Sequence, residues 1–321
     1  FTSISGIGTR GLWKSITPDQ HGDWLNQRNS GFDAFIQIGS KKETSEPVLF
    51  ANYSNGVKTN RDAWVYNFSK TRITNVVREM IQYYNDEVSR YSELCGNISS
   101  QIDLEDFIDT NQQKISWTRE LRQDLARKKW GVFQNTGLLK SIYRPFTKEW
   151  IYFDRQFNNC VYQMPKIFPN VDSDNLVICA TGIGAKAFSA LMTNYLPCHD
   201  NIEKGQCFPL YLYDEDGTNK RDAITDEGLN HFTGYYLQDN ISREDVFYYI
   251  YGLLHSNDYR ERYADNLSKE MPRIPRVKKV EDFWLLSKAG RDLADLHLNY
   301  ETVAMYAACL LYTSPSPRDR T

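Results

Sequence analysis

Five short runs, IYFD (151–154), VYQM (161–164), NLVICAT (175–181), FSALMT (188–193) and FPLYLY (208–213), decide the fold class. Each is aromatic or β-branched, and each is bounded by Asn, Asp, Gly or Pro, the pattern of brief strands separated by turns. Upstream the pattern turns helical. Val76, Val77, Met80, Ile81, Tyr84, Val88 and Tyr91 form one apolar stripe over residues 74–94. A second helix is predicted over 117–130, where Leu121 and Leu125 repeat at four. The first sixty residues are rich in Gly, and their apolar pieces Phe35-Ile36 and Val48-Leu49-Phe50 fit short strands.

Downstream, Ser242 with Asp245 reads as a capping box, and Val246, Phe247, Ile250, Leu253 and Leu254 as the buried face of the helix that follows. A companion helix is predicted from 258 to 269, stopping before Pro272. The basic stretch PRIPRVKK (272–279) is extended, because each Pro disfavours helix before it. A last helix covers 280–299 with Phe283, Leu286, Leu293 and Leu296 inward. The pattern as a whole is α+β, with a β-rich middle and a helical C-terminal bundle.

Composition narrows the function. In 321 residues, hydrophobic side chains make up 41% and charged ones 25%, a globular balance. No apolar run reaches 18 residues, so no segment reads as a membrane-spanning helix, and a cytoplasmic protein is expected. The six cysteines lie far apart without a CxxC pair, which argues against a zinc site or a disulfide scaffold and for reduced thiols. The chain opens on Phe1 with neither an initiator Met nor a leader, and reads as a fragment. The ending LLYTSPSPRDRT departs from the rest, so residues 308–321 are read as a non-native, adaptor-derived tail. Net charge is −3, yet residues 116–155 carry nine basic side chains against four acidic ones, leaving +5 there and −8 elsewhere. Such segregation is the footprint of one basic face.

Several stretches together resemble the Type ISP restriction–modification enzymes, in the region after their methyltransferase motifs and in the C-terminal specificity domain. They are HGDWLNQR (21–28), YSNGVKTNRDAWVYNF (53–68), SWTRELRQDL (116–125), YRPFTKEWIYFDRQFN (143–158), GQCFPLYLY (205–213), the run 244–275, and LADLHLNYE (293–301). The resemblance implies a fragment of a larger multidomain enzyme. Residues 1–110 would form the end of the methyltransferase region and its connection, and residues 111–300 the target-recognition domain. The implied partners are double-stranded DNA and the upstream methyltransferase and helicase-like domains. The implied task is recognition of a short duplex site, so that an upstream domain can methylate one adenine at N6. S-adenosylmethionine, ATP and Mg are implied for the parent enzyme and none for this fragment. The sequence contains neither the Asn-Pro-Pro-Tyr/Phe tetrad nor a GxxxxGK[ST] loop, so the fragment is expected to bind and not to catalyse. A rival reading is the C-terminal part of a stand-alone adenine methyltransferase.

Three constellations could meet DNA. On the helix at 117–130, Arg119, Arg122, Lys128 and Lys129 suit a track of phosphates, which supply salt-dependent affinity without reading sequence. The competing reading is a solvated face with ion pairs to Glu120 and Asp124. In YRPFTKEW, Arg144 could pair with a guanine edge and Lys148 with a phosphate, or the segment could be a structural corner. In the loop NGVKTNRDAW (55–64), Lys58, Asn60 and Arg61 could contact backbone or bases and wall a base-flipping site; alternatively Asn60 and Asp62 bond their own turn. A fourth stretch, VICATGIGAKA (177–187), matches a permissive dinucleotide fingerprint through Gly182 and Gly184. FSALMT after it reads as a return strand, which makes the glycines a hairpin turn; a nucleotide-binding enzyme is the remaining alternative. Cys198-His199, the DEDG run at 214 and His231, His255 and His297 show no partner spacing for a metal or nucleophile site.

Overall fold

The structure, a computed structural model, describes residues 15–42, 45–97 and 103–304. In chain order the elements are β1 (Ile36–Gly39), β2 (Val48–Phe50), β3 (Ser54–Asn55), α1 (Asp62–Val65), β4 (Tyr66–Asn67), α2 (Lys70–Asn97), α3 (Leu104–Phe107) and α4 (Arg119–Ala126). The middle follows with β5 (Leu138–Arg144), β6 (Thr147–Tyr152), β7 (Val177–Ala180), β8 (Ala190–Thr193), β9 (Leu196–Pro197), β10 (Gln206–Pro209), β11 (Tyr211–Leu212) and β12 (Arg221–Asp222). The last part holds α5 (Asp226–Thr233), α6 (Arg243–Leu254), α7 (Asn257–Arg262), α8 (Ala264–Lys269), β13 (Arg273–Ile274) and α9 (Val280–Leu298). The fold is mixed α+β, as the strand and helix patterns require.

The sheets are small and built across the sequence, in the orders β13-β1-β2, β3-β10-β7-β8 and β4-β6-β5-β9, beside the pair β11-β12. The first three of these join strands from both sides of residue 110. The division expected there is therefore not a structural divide among the described residues. The tail expected at 308–321 lies outside them.

Four of the five deciding runs contribute strands; VYQM does not. Val161 and Met164 are buried as strand residues would be, but Tyr162 between them has φ +48, and the chain turns instead of extending. The glycine stretch after β7 is the expected hairpin. β7 and β8 pair antiparallel from Val177↔Thr193 to Ala180↔Ala190, and Gly184 sits at φ +73. The Gly182 and Gly184 amides already donate to Glu203 O (3.2 Å) and Ser268 O (2.9 Å), so they do not form an open phosphate cradle.

Helix α2 buries Ile73, Val77, Met80, Ile81, Tyr84 and Val88, the three-and-four spacing of one face. Helix α4 ends at Ala126, earlier than residue 130. Lys128 takes φ +55, its amide bonds Leu125 O, and the Lys129 amide reaches back to Asp124 O, a Schellman stop. The companion helix is two pieces, α7 and α8, broken at Tyr263.

At the C-terminal end α6 begins with the capping box Ser242–Asp245 and lies along α9. The inward face of α9 is Phe283, Ser287, Gly290 and Ala294, whereas Leu296 is 49% exposed and Leu286 and Leu293 are partly buried. Small side chains set this face because the helices nearly touch. A Cβ on Gly252 would lie 2.2 Å from Leu286 O, and one on Gly290 would lie 2.0 Å from Tyr248 O. No helix among the described residues is long and apolar enough to cross a membrane.

Candidate nucleic-acid interface

The loop after β3 is threaded between two other segments. Val57 N donates to Pro197 O (2.8 Å), His199 N donates to Val57 O (2.8 Å), and Lys58 and Cys160 exchange both backbone bonds (2.9 and 2.8 Å). The approach is so close that a Cβ on Gly56 would stand 2.3 Å from Cys198 O, which explains glycine there. Beyond it Asn60 turns the chain at φ +54. Lys58 and Asn60 project outward and are exposed.

Arg61 goes the other way. It is 3% exposed, and its guanidinium donates to Phe157 O (3.2 Å) and to Thr118 Oγ1 (3.1 Å), the N-cap hydroxyl of α4. Burial pulls its pKa down to about 10, with the charge of Glu120 opposing that fall, so it remains a cation at neutral pH. Its place in the structure is that of a strut between the loop and α4. A second link runs beside it, from Asn60 Nδ2 to Asn159 Oδ1 (2.8 Å) and from Asn159 Nδ2 to Glu120 Oε2 (2.5 Å). These ties fasten the loop to the first turn of α4, where Arg119 is exposed. Beside the loop opens a groove of about 380 Å³, lined by residues 57–63, Ser116, Cys198, His199 and Asp200.

The remaining candidates are spread out. Arg144 lies at the neighbouring hairpin end with its guanidinium over the Tyr143 ring (4.0 Å). It donates to Tyr143 O (2.8 Å) and Cys198 Sγ (3.4 Å) and stands 3.9 Å from Asp62. That is the corner arrangement, although two fifths of the side chain stays exposed. Lys148 points to the turn after α9, bonding Glu301 (2.9 Å) and standing over the rings of Tyr300 and, from the β8–β9 connection, Tyr195. Arg122 is ion-paired with Glu105 and Lys129 with Asp124 (3.0 Å). Lys128 is exposed at the far end of α4, on the order of 13 Å from Arg119 by helical rise. The structure thus gathers Lys58, Asn60 and Arg61 at one groove, ties them to the helix that carries Arg119, and leaves the others at its margins.

Sequence reasoning missed Thr118, Asn159 and His199. Thr118 carried a readable sign, a Thr before a helix; Asn159 and His199 carried none, because their partners are distant in the chain.

What fold and groove define together is a binding domain that offers positive charge and amide hydrogen bonds from an open surface. The chain matches the model of the Type ISP C-terminal specificity domain over residues 48–320, and it belongs to that family. It is similar in structure to DrdV in a DNA complex (TM-score 0.79, 35% identity, 92% of this chain and 29% of that one). It is also similar to a nuclease-deletion mutant of the Type ISP restriction-modification enzyme LlaGI, in complex with a DNA substrate mimic. There the TM-score is 0.78, with 35% identity over 92% of this chain and 22% of that one. A third relative is the ATP-dependent Type ISP restriction-modification enzyme LlaBIII bound to DNA (TM-score 0.78, 36% identity, 91% and 18%). The chain spans less than a third of the length of each. No curated protein matches it.

Proposed function

We propose that this chain recognises a specific duplex DNA site for a restriction–modification enzyme. The observation that carries the reading is that exposed Lys58 and Asn60 line one groove, in a member of the specificity-domain family. Lys58 and Arg119 supply phosphate contacts, and Asn60 offers a side-chain amide that suits an adenine edge. Lys128, with Lys129 and Arg122 once their surface ion pairs open, extends the phosphate track along α4. Such pairs are weak enough to exchange for phosphate. Arg144 and Lys148 border the same duplex, whereas Arg61 serves it by holding the loop against α4. Site recognition positions one adenine for N6 methylation by an upstream domain of the same polypeptide. S-adenosylmethionine, ATP and Mg would act in those other parts, within the cytoplasm.

The test is binding of the purified chain to random duplexes at several salt concentrations, followed by sequencing of the bound pool. Steep weakening with salt and convergence on one short site support the reading. Weak, salt-insensitive binding with no enriched site, persisting when the upstream domain is restored, sinks it.

A further inference from the structure

We propose that Tyr162, backed by His199, is the stacking residue for a nucleobase displaced from the duplex, and that the groove beside it reads that base's edge. The proposal rests on the DNA reading above and deepens it.

Tyr162 is a bulky residue in the left-handed region, at φ +48, and is 40% exposed. That conformation suits Gly or Asn, and a β-carbon makes it unfavourable. The neighbours force it. Val161 and Met164 are buried on either side, Met164 N bonds Val161 O (3.1 Å), and Gln163 N donates to Ser54 Oγ (3.0 Å). With both sides anchored in the core, the ring can only stand outward. A strained, over-determined aromatic on a surface is what a ligand clamp requires.

The ring lies nearly parallel to His199, with centroids 6.3 Å apart and 24° between planes. The His199 Nδ1 is buried without a partner among the described residues, and the His199 backbone is tied to Val57 O. Two grooves meet at the pair. His199 lines the 380 Å³ groove of the Lys58 loop, and Tyr162 lines another of about 420 Å³ with Lys41, Asn52, Asn55 and Gln163. Lys41 Nζ bonds Asn55 Oδ1 (2.8 Å), while the side-chain amides of Asn52 and Gln163 have no partner among the described residues. The lining of this second groove contains no carboxylate.

The combination fits one ligand class. A π-face takes a base stack, planar amides pair with base edges, and the flanking lysines Lys41 and Lys58 meet the backbone on either side. A base still within the helix shows its face only to its neighbours, so the groove is fitted to one that has left the stack or been wedged open.

The test uses the full chain and the duplex it enriches, with 2-aminopurine placed at each position in turn and permanganate probing unstacked thymines. Wild type and Tyr162→Phe should brighten one position and bind alike. Tyr162→Ala and Tyr162→Gly, checked for folding by thermal melting, should lose that signal and bind the enriched site about tenfold or more weakly, with low-salt binding to random DNA unchanged. A folded Tyr162→Ala or Tyr162→Gly that keeps both signal and affinity overturns the proposal. So does a wild type that enriches a site yet leaves every base stacked, with the DNA reading intact. A wild type that enriches no site removes the DNA reading and this inference with it.

Discussion

Arg61 and Lys58 stand three residues apart in one loop, and the sequence treats them alike as cations among turn formers. The difference is made by Phe157 O and Thr118 Oγ1, which lie 96 and 57 residues away and take the Arg61 guanidinium inside. Removing each cation should therefore have a different consequence. Arg61→Ala removes the tie to Thr118 and takes the donor from the Phe157 carbonyl, and costs roughly 1–3 kcal/mol in urea unfolding. Lys58→Ala leaves the unfolding midpoint in place and lowers the slope of log affinity against log salt by about one. If Arg61→Ala keeps full stability but loses DNA binding as Lys58→Ala does, the strut assignment is wrong. The exposure of Lys58 and Arg119 was legible because a charge in a turn or first helical turn needs no distant partner, whereas the Asn159 partner of Asn60 was not. For Arg144 the corner reading was open in the sequence, since its ring and carbonyl partner is the adjacent Tyr143; only the Cys198 thiol appears once β5 and β9 lie side by side. Lys128 offers a separate check. It occupies the left-handed position that ends α4, so Lys128→Gly should stabilise the chain by about 1 kcal/mol while reducing the salt slope, as calorimetry and binding titrations would show.

At the scale of elements, helices were readable where periodicity was long, and their faces and ends were readable where local chemistry settles them. The capping box of α6 needed only Ser242 and Asp245. The end of α4 was overestimated because a Schellman stop with Lys in place of Gly gives no sequence sign. VYQM failed for the same reason: a left-handed Tyr inside an apolar run looks like strand. Leu296 was assigned inward on hydrophobicity, yet the α6–α9 contact is made by glycine, serine and alanine. Close approach, rather than apolar bulk, holds this pair, and Ser287 Oγ adds a bond to Asp245 O (3.0 Å). Gly290→Ala forces a methyl against the Tyr248 carbonyl, where neither helix can give way without the other. We expect a loss of about 2–3 kcal/mol by urea unfolding, with a smaller loss for Ala294→Gly, which opens space without overlap. Equal stability of Gly290→Ala and the unaltered chain would mean that the helices separate more easily than their backbone contact implies.

The molecule as a whole interleaves early and late strands, so disturbance at one end should be felt throughout, and acid offers a graded way to apply it. His255, the C-cap of α6, and His297 on α9 face each other beside Tyr251, with His255–His297 ring centroids 5.6 Å apart. Arg260 Nη2 lies 3.1 Å from His255 Nδ1 and can only donate, so His255 is neutral with its proton on Nε2. Burial first, then the charge of Arg260 and the neighbouring His297, pulls His255 down to about 4. Burial, with Arg276 adding to it, does the same to His231 on α5. A histidine depressed in the native state takes up its proton more readily when unfolded. Stability is therefore full above the unfolded value of about 6.5 and declines as pH falls toward 4. Urea midpoints measured from pH 7.5 to 4.5 should fall monotonically. His255→Gln should flatten part of that decline, because an amide can accept from Arg260 without titrating. A variant whose midpoint falls as steeply as the unaltered chain would show that His255 does not sense acid, and would shift the dependence to His297, which burial also depresses, and to His231. Because His297 on α9, with Tyr300 and Glu301 just beyond it, holds Phe146 and Lys148, the same acid range should loosen the β5–β6 hairpin next to the candidate interface. The Phe146→Trp variant, read by fluorescence in the same titration, would report that loosening as a red shift preceding global unfolding, and coincidence of the two transitions would mean that the molecule yields to acid as one unit.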